Sequence, residues 1–412
     1  MNCVINSQVV LSRAPEGPLA PHLIGFAESL SEQGYSLSSL KYQVRIAAGF
    51  SRWLKRVGVG GRGICSEHAE RYLRYRARHA RPHSNDTAAL EHLIDLMRRA
   101  DVIVPAKVSA SGLTPAQRYA ETYERYLCEV RGLCRATIIN YSPFVCEFLE
   151  ERFGDGHLRL SRLCAGDVVQ FAQRQAPRLH LKRAKLMSTA LRSFLRYVRY
   201  RGDTTLDLAA AVPVVANWSM SSIPRAIATE KVRELLNSID RGTSMGRRDY
   251  AILLLLARLG LRAGEVTCLE LDDIDWNAGQ LNVRGKRGQR NALPLPREVG
   301  KAIAAYLQHG RPKSASRRVF LRAKAPIRGF RSASGVGCIV RHSLLRAGIN
   351  APTKGAHQFR HGLATEMLRR GASLGEIGDL LGHRHPQTTT IYAKADLQAL
   401  RRLALPWPGG VR

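Results

Sequence analysis

Five short segments in the second half of the sequence contain residue types that could do chemistry together. They are "LGLRAGEV" with Arg262 and Glu265, "VRGKRGQR" with Lys286, "GAHQFRHG" with His357 and Arg360, "LLGHRH" with His383, and "TTTIYAKA" with Tyr392. Guanidinium groups can neutralise charge on phosphate oxygens, a long lysine side chain can swing over a bound partner, and a tyrosine hydroxyl can be a nucleophile. The combination suits phosphodiester transesterification without a metal ion.

Each of these residues also has a simpler structural explanation when it is considered alone. Arg262 and Glu265 could form a surface ion pair, and Lys286 could be a solvated lysine in a turn. His383 could cap a helix after the glycine of "LLGHRH", and Tyr392 could be a buried core ring. The set as a whole, in a strongly basic chain, favours the chemical interpretation.

Two further histidines compete with the two chosen above. His357 and Arg360 are three positions apart at a predicted helix start and share one side of it. His361 lies one position beyond Arg360, about 100° further around the helix, so we favour His357. His385 competes with His383, but a proline follows His385 at once.

The charge of the chain predicts a polyanionic partner. The sequence has 64 Lys and Arg against 33 Asp and Glu, a net charge of +31 over 412 residues. Arginine binds phosphate oxygens in pairs, so nucleic acid is the expected ligand, with a basic but inert surface as the alternative. The acidic segment "ELDDIDW", with Asp272, Asp273 and Asp275, is better explained as a turn than as a magnesium site. We therefore expect no metal and no cofactor.

Cysteine usage and hydropathy predict a soluble cytoplasmic protein. The eight cysteines form no Cys-x-x-Cys pair and no zinc-binding spacing, which is typical of a reducing compartment. The N-terminus is a poor signal peptide. The apolar run "YAILLLLARLGLRAGEV" is short and contains Arg258, so we expect no membrane span.

Helical periodicity dominates the predicted secondary structure. The first half predicts helices over residues 38–58, 66–80, 87–100, 114–132, 134–154, 164–176 and 181–202. In the last of these, Leu191, Phe194, Leu195 and Val198 share one apolar face. Looser stretches at 101–115 and 203–230 are typical of linkers.

The second half predicts more helices and one small sheet. Thr229 is expected to cap the helix of "EKVRELLNSID", and two short strands should flank a turn at Gly288.

The order of these motifs resembles the tyrosine recombinases, also called the phage integrase family. The segment "HQFRHGLATEMLRRGASLGEIGDLLGHRHPQTTTIYAKA" is close to that family's signature, and the nine-residue step from His383 to Tyr392 is the family's own spacing. The resemblance covers about residues 110 to 405. Two features depart from the pattern: the hairpin reads "GKRGQR" where the family usually has Gly after the lysine, and the first hundred residues are additional.

The resemblance implies a role for each site residue. Tyr392 would attack the scissile phosphate and form a 3′-phosphotyrosyl link. Lys286 would protonate the leaving 5′-oxygen, His357 would assist proton transfer at the tyrosine, and Glu265 would orient the arginine site. The groups binding the non-bridging oxygens would be Arg262, Arg360 and His383.

The resemblance also implies an architecture and partners. A mainly α fold is expected, with a helical SAM-like core-binding domain, a small antiparallel sheet in the catalytic domain and a C-shaped clamp on double-stranded DNA. The expected regions are an N-terminal extension binding DNA or a partner (1–108), the core-binding domain (109–206), a linker (207–228) and the catalytic domain (229–412). Homotetramers would act on synapsed sites through a Holliday junction, with related recombinases or accessory proteins as further partners. The leucines 397, 400 and 403 of the tail could dock on a neighbour or fold back.

Integration, excision or transposition is the expected outcome. The long N-terminal region resembles extensions in recombinases of transposons and other mobile elements, which we favour over a chromosome-resolution role. Two alternatives stay open: a type IB topoisomerase that relaxes supercoils, and a non-catalytic DNA-binding relative.

Overall fold

A computed structural model describes residues 3–6, 9–11, 13–81, 83–103, 113–154, 156–215, 226–285, 290–383 and 385–395. Its contacts group residues Met1–Ile103 with Met220–Arg412 in one compact unit, and Val104–Ser219 form a second. Most described residues are helical, and the sheets are small. The fold is therefore mainly α with a small antiparallel sheet, as the sequence predicted.

The first region of the chain is a short hairpin followed by four helices. The strands are β1 (Cys3–Asn6) and β2 (Val9–Leu11), and the helices are α1 (Leu23–Glu32), α2 (Leu37–Arg56), α3 (Ser66–Ala77) and α4 (Asp86–Arg99). The hairpin was not predicted, whereas α2 to α4 lie where the periodicity placed them. Phe50, Trp53 and Tyr72 pack together at the centre of this region's core. A backbone hydrogen bond of 2.8 Å, donated by Ile327 to the carbonyl of Gln33, joins this region to the C-terminal region.

The second unit is a bundle of four helices. They are α5 (Pro115–Glu129), α6 (Arg135–Phe153), α7 (Ala165–Gln175) and α8 (Leu181–Tyr200). The side chain of Thr114 caps α5, where it accepts a hydrogen bond from the backbone of Gln117. The predicted apolar face of α8 is confirmed, because all four of its residues are buried; they are Leu191, Phe194, Leu195 and Val198.

The C-terminal region is built around one very apolar helix. Its helices are α9 (Thr229–Asn237), α10 (Ser244–Arg258), α11 (Ala263–Cys268), α12 (Arg297–His309), α13 (Ser334–Arg346), α14 (His357–Arg369) and α15 (Leu374–Leu380). Residues 251–256 of α10 are all fully buried, and α10 packs against α12 and α14. Among the described residues, no helix is long and apolar enough to cross a membrane.

One capping prediction in this region is wrong. Thr229 is the first residue of α9, and the capping position is Ala228, which makes no side-chain hydrogen bond.

The small sheet has three antiparallel strands in the order β3–β4–β5. They are β3 (Ile274–Asp275), β4 (Gln280–Arg284) and β5 (Arg290–Pro294), and Arg284 pairs with Arg290. This pairing confirms the predicted hairpin, although the turn at 286–289 lies outside the described residues.

The acidic segment before this hairpin is more than a turn. Asp275 belongs to β3, and Leu271–Asp273 form a 3-10 turn. Its carboxylates pair with arginines: Asp272 with Arg317, and Asp273 with Arg284 at 3.2 Å. In the described parts of the chain, no group of three or more His, Cys, Asp or Glu residues is arranged to hold a metal ion.

The aromatic packing of α8 gives a stability prediction for the second unit. Phe194 is fully buried and contacts Tyr119, Tyr123 and Phe148 edge to face. Replacing a buried phenylalanine by alanine removes apolar contacts and leaves a cavity, so Phe194→Ala should lower the free energy of unfolding by about 3–5 kcal/mol. Arg196→Ala, at an exposed position of the same helix, is the control and should change it by less than about 0.5 kcal/mol. Equal effects in urea unfolding would contradict this account.

Candidate active site

The turn between α10 and α11 positions the first arginine. Gly260 has a φ of +61°, a left-handed conformation that reverses the chain just after α10. Two residues later Arg262 caps α11, and its backbone N–H donates to Glu265 Oε2 at 2.7 Å. The guanidinium donates to the other oxygen of the same carboxylate at 2.6 Å. The ion pair expected from the three-residue spacing is therefore present, and it fixes the direction of a guanidinium that stays about one third exposed.

The second arginine is held by backbone carbonyls instead of a carboxylate. Arg360, in the first turn of α14, is 4% exposed. It donates to the carbonyl of Gly260 at 2.8 Å and to the carbonyl of Leu381. Burial, together with the charge of Arg262, lowers the pKa of Arg360 to about 10, so it stays protonated at neutral pH. The result is a buried cation whose remaining N–H groups are available to an anion.

The helix end after α15 positions His383. Gly382 has a φ of +58° and ends the helix as predicted, and the amide of His383 donates to the carbonyl of Gly378 at 2.8 Å. His383 Nδ1 lies 2.8 Å from the hydroxyl of buried Thr389. Burial and the charges of Arg360 and Arg262 lower the pKa of His383 to about 4, so the ring is neutral near pH 7. When Nδ1 accepts from the threonine, the proton is on Nε2 and can be donated to an anionic oxygen.

Tyr392 lies in a 3-10 turn, Thr390–Ala395. It has a buried ring and a hydroxyl that makes a polar contact. Its ring is 2% exposed and packs with Ala364, Ile377 and Leu381 in a small apolar cluster. The ring also stacks on His383 at a centroid distance of 6.3 Å. The hydroxyl reaches the polar side, where His361 Nδ1 is 3.2 Å away. Burial raises the pKa of Tyr392, and the charges of Arg360 and Arg262 oppose that rise.

The histidine at the tyrosine hydroxyl is therefore the one that the sequence analysis set aside. A step of about 100° separates His361 from Arg360, but His361 lies four positions after His357 and shares its face of the helix. The rings of His357 and His361 are 6.4 Å apart. His357 lies nearer to the arginines, since Arg360, Arg262 and Glu265 influence its pKa, which burial lowers. The i+4 spacing was the signal that could have found His361.

A pocket of about 580 Å³ lies between the start of α11, strands β4 and β5, helix α14 and the end of α15. Its lining includes both arginines, Glu265, His383 and Asn291 of β5. Exposed His385, the alternative to His383 in the sequence, also lines it. Gly285, the residue before Lys286, also lines it, whereas Lys286 itself lies outside the described residues. Tyr392 is absent from the lining and lies behind His383. Of the sequence-predicted residues within the described part of the chain, Arg262, Glu265, Arg360 and His383 thus line one pocket, whereas His357 and Tyr392 do not.

The Gly260 turn gives a testable prediction about how Arg360 is anchored. A Cβ at Gly260 would lie 2.8 Å from Leu381 Cδ2 and 3.1 Å from Leu363 Cδ2, in addition to the unfavourable φ. Gly260→Ala should therefore lower the free energy of unfolding by more than the roughly 1–2 kcal/mol of left-handed strain, and weaken anion binding in the pocket. Gly348→Ala is the control, because its φ is +65° and a Cβ added there would meet nothing within 4 Å. If both variants lose the same stability in urea, the tight contact is unimportant.

The lowered pKa of His383 predicts a pH dependence of stability. Below its ordinary pKa of 6.5 the unfolded chain takes up a proton at this ring, while the folded ring stays neutral until about pH 4. The free energy of unfolding should therefore fall as the pH is lowered from about 6.5 towards 4. His383→Gln should make this decline shallower in urea unfolding between pH 7.5 and 4.5, whereas exposed His309→Gln should not. Identical slopes in wild type and His383→Gln would contradict the assignment.

Comparison with known proteins shows what the chain is similar to. Residues 225–398 match the phage integrase family. A protein named as an integrase/recombinase (y4rA) from Sinorhizobium fredii strain NBRC 101917 / NGR234 is 59% identical over 409 residues, covering 99% of each chain. The tyrosine recombinase XerD of Mycobacterium tuberculosis strain H37Rv is 31% identical over 309 residues, which is 70% of this chain and 95% of that protein.

Solved structures share the fold. The XerH site-specific recombinase, bound to palindromic difH in a post-cleavage complex, aligns with a TM-score of 0.56 and 19% identity over 69% of this chain and 83% of its own. A lambda integrase dimer (residues 75–356) bound to a COC′ core site aligns with a TM-score of 0.53 and 16% identity, over 72% and 98%. These identities are low, so the two structures support the fold alone. With the full-length relative at 59% identity, the chain belongs to the phage integrase family, the tyrosine recombinases.

Proposed function

We propose that the protein is a site-specific DNA recombinase that cleaves and rejoins strands through a covalent tyrosine intermediate. The observation that carries this proposal is one tyrosine hydroxyl placed beside a pocket of arginine and histidine donors. Family membership and the strongly positive chain support the same substrate, double-stranded DNA. The relatives are named as recombinases and integrases, which agrees with this class of reaction.

The first step is binding of the scissile phosphate in the 580 Å³ pocket. Arg262, Arg360 and His383 supply N–H groups to the non-bridging oxygens. Two of the three are preset by fixed partners, Glu265 for Arg262 and two carbonyls for Arg360, so little reorganisation is needed when charge develops. These fixed N–H donors would therefore stabilise the charge of the transition state more than freely moving donors in water would.

The chemical step exchanges one ester for another. The Tyr392 oxygen attacks phosphorus and passes its phenol proton to a neighbouring histidine, the bond to the 5′-oxygen breaks, and Lys286 gives that oxygen a proton. The product is a 3′-phosphotyrosyl enzyme and a free 5′-hydroxyl. Because the new ester conserves the energy of the broken one, attack by a 5′-hydroxyl from a partner duplex rejoins the strand without ATP.

The resting position of Tyr392 adds a conformational requirement. Its ring is 2% exposed and does not line the pocket, so its hydroxyl has to move towards the phosphate before attack. The apolar cluster that holds the ring has only four buried members among the described residues. DNA binding would supply the free energy that releases it.

Strand exchange requires several protomers. We assign residues 109–206 to core-site binding and 229–412 to catalysis, with homotetramers passing through a Holliday junction on synapsed sites. A solved lambda integrase tetramer bound to a Holliday junction shares the fold with a TM-score of 0.51. The Tn1549 transposon integrase, solved with circular intermediate DNA, aligns with a TM-score of 0.50. This supports integration, excision or transposition of a mobile element, carried out in the cytoplasm.

A suicide substrate tests the covalent step. A nicked duplex that carries the end of the mobile element should trap the protein as a covalent DNA adduct. Tyr392→Phe should abolish this adduct because the nucleophilic oxygen is gone. Tyr200→Phe is the matched control, since Tyr200 is 72% exposed and distant in sequence, and it should keep the adduct. Denaturing gel electrophoresis with peptide mapping of the adduct reports both results.

Other outcomes of this experiment would favour the alternatives. An adduct that survives Tyr392→Phe would overturn the assignment of the nucleophile. No adduct with any duplex would favour a non-catalytic DNA-binding protein. An adduct accompanied by relaxation of supercoils on any sequence, without exchange of partners, would favour a type IB topoisomerase.

A further inference from the structure

His361 makes a direct polar contact with the hydroxyl that we propose as the nucleophile. Its Nδ1 lies 3.2 Å from Tyr392 Oη, and the two ring centroids are 5.7 Å apart. His357 makes no such contact in the described structure and faces the Arg262–Glu265 pair. A general base has to be within hydrogen-bond distance of the proton that it removes, and His361 satisfies this condition in the resting position, before the hydroxyl moves towards the phosphate.

The surroundings of His361 keep its ring able to accept a proton. The charged or titratable groups that face it are His357 and Arg360 on its own helix, Tyr392 on the C-terminal turn, and His383 beyond α15. Burial, followed by His357 and Arg360, lowers the pKa of His361. The ring is therefore neutral at neutral pH, and a tautomer with its proton on Nε2 leaves the Nδ1 lone pair directed at the hydroxyl.

Tyr392 needs such a base. Burial raises the pKa of its hydroxyl, so the phenol is protonated at neutral pH and is a weak nucleophile in that form. Arg360 and Arg262 stabilise the phenolate once it forms but cannot accept its proton. Among the described side chains, His361 is the hydrogen-bond partner of this hydroxyl that can do so.

We propose that His361, rather than His357, is the general base of strand cleavage and the general acid of rejoining. This rests on the proposed function of Tyr392. In cleavage the Tyr392 Oη–P bond forms, the P–O5′ bond breaks, the phenol proton passes to His361 Nδ1, and Lys286 protonates the 5′-oxygen. In rejoining each transfer reverses, and His361 returns its proton to the departing tyrosine oxygen.

A single-turnover pH profile on the suicide substrate tests this role in the wild-type protein. The cleavage rate should be constant near neutral pH and fall as acid protonates His361. The rate should drop roughly 10-fold per pH unit once the ring is charged. A rate that stays flat over the whole acid range in which the protein remains folded by circular dichroism, with the adduct still forming, would overturn the proposal.

Substitution separates the two histidines. His361→Gln should slow cleavage by roughly 10²- to 10⁴-fold and lose the acid limb of the profile, because general-base catalysis is removed. His357→Gln should retain that limb, whatever its rate, and exposed His309→Gln should behave as wild type. Added imidazole should partly restore the rate of His361→Ala, a rescue that a purely structural role would not give.

A substrate with a sulfur-bridged 5′ leaving group distinguishes this proton transfer from that of Lys286. Thiolate leaves without protonation, so the sulfur substrate should rescue Lys286→Ala but not His361→Gln. Rescue of both variants would overturn the assignment of His361 to the nucleophile. If Tyr392→Phe also formed the adduct, the proposed function itself would fail. If His361→Gln cleaved at the wild-type rate while Tyr392→Phe did not cleave, only the present inference would fail.

Discussion

Burial of one guanidinium is the constraint on which the rest of the site depends. Arg360 is almost completely removed from water, and an unpaired buried charge is very costly. Its stabilisation comes from the carbonyls of Gly260 and Leu381, which belong to the ends of α10 and α15. Both helix ends must therefore be correctly placed for Arg360 to be tolerated, and the same two ends carry Arg262 and His383 into the pocket. A single interaction thus ties correct folding of three helices to assembly of the site.

The charge balance of the pocket makes it a receptor for an anion. Glu265 is the carboxylate that pairs with an arginine there, while two guanidiniums and three imidazoles lie close together in the described structure. Mutual repulsion and burial lower the pKa values of Arg360 and of all three histidines. A bound phosphate reverses this effect, because its negative charge favours the protonated forms. Binding of an anion and protonation of the pocket are therefore coupled.

The sequence allowed local features to be predicted, and it failed where distant backbone atoms act. The helices, the β4–β5 hairpin, the Arg262–Glu265 pair and the glycine after α15 all follow from spacings of a few residues. The carbonyls that anchor Arg360 come from positions 100 and 21 residues away, and every residue type has a carbonyl, so no sequence pattern marks them. The two-residue strand β3 is equally unmarked, because pairing with β4 creates it. The contact of His361 with Tyr392 was missed for another reason: the angle of His361 was measured from Arg360 when the relevant comparison was with His357.

The small apolar cluster around Tyr392 has a consequence for the control of unwanted DNA cleavage. Free access to the nucleophile that we propose would expose DNA to unwanted cleavage, and the Tyr392 ring is enclosed by Ala364, Ile377 and Leu381. Because this cluster is separate from the main core of the C-terminal region, it can open locally while the rest of the fold stays intact. The threshold for releasing the tyrosine is then set by a few aliphatic side chains. Changes in these side chains could adjust how readily the proposed cleavage starts, without altering any group that we propose to touch DNA.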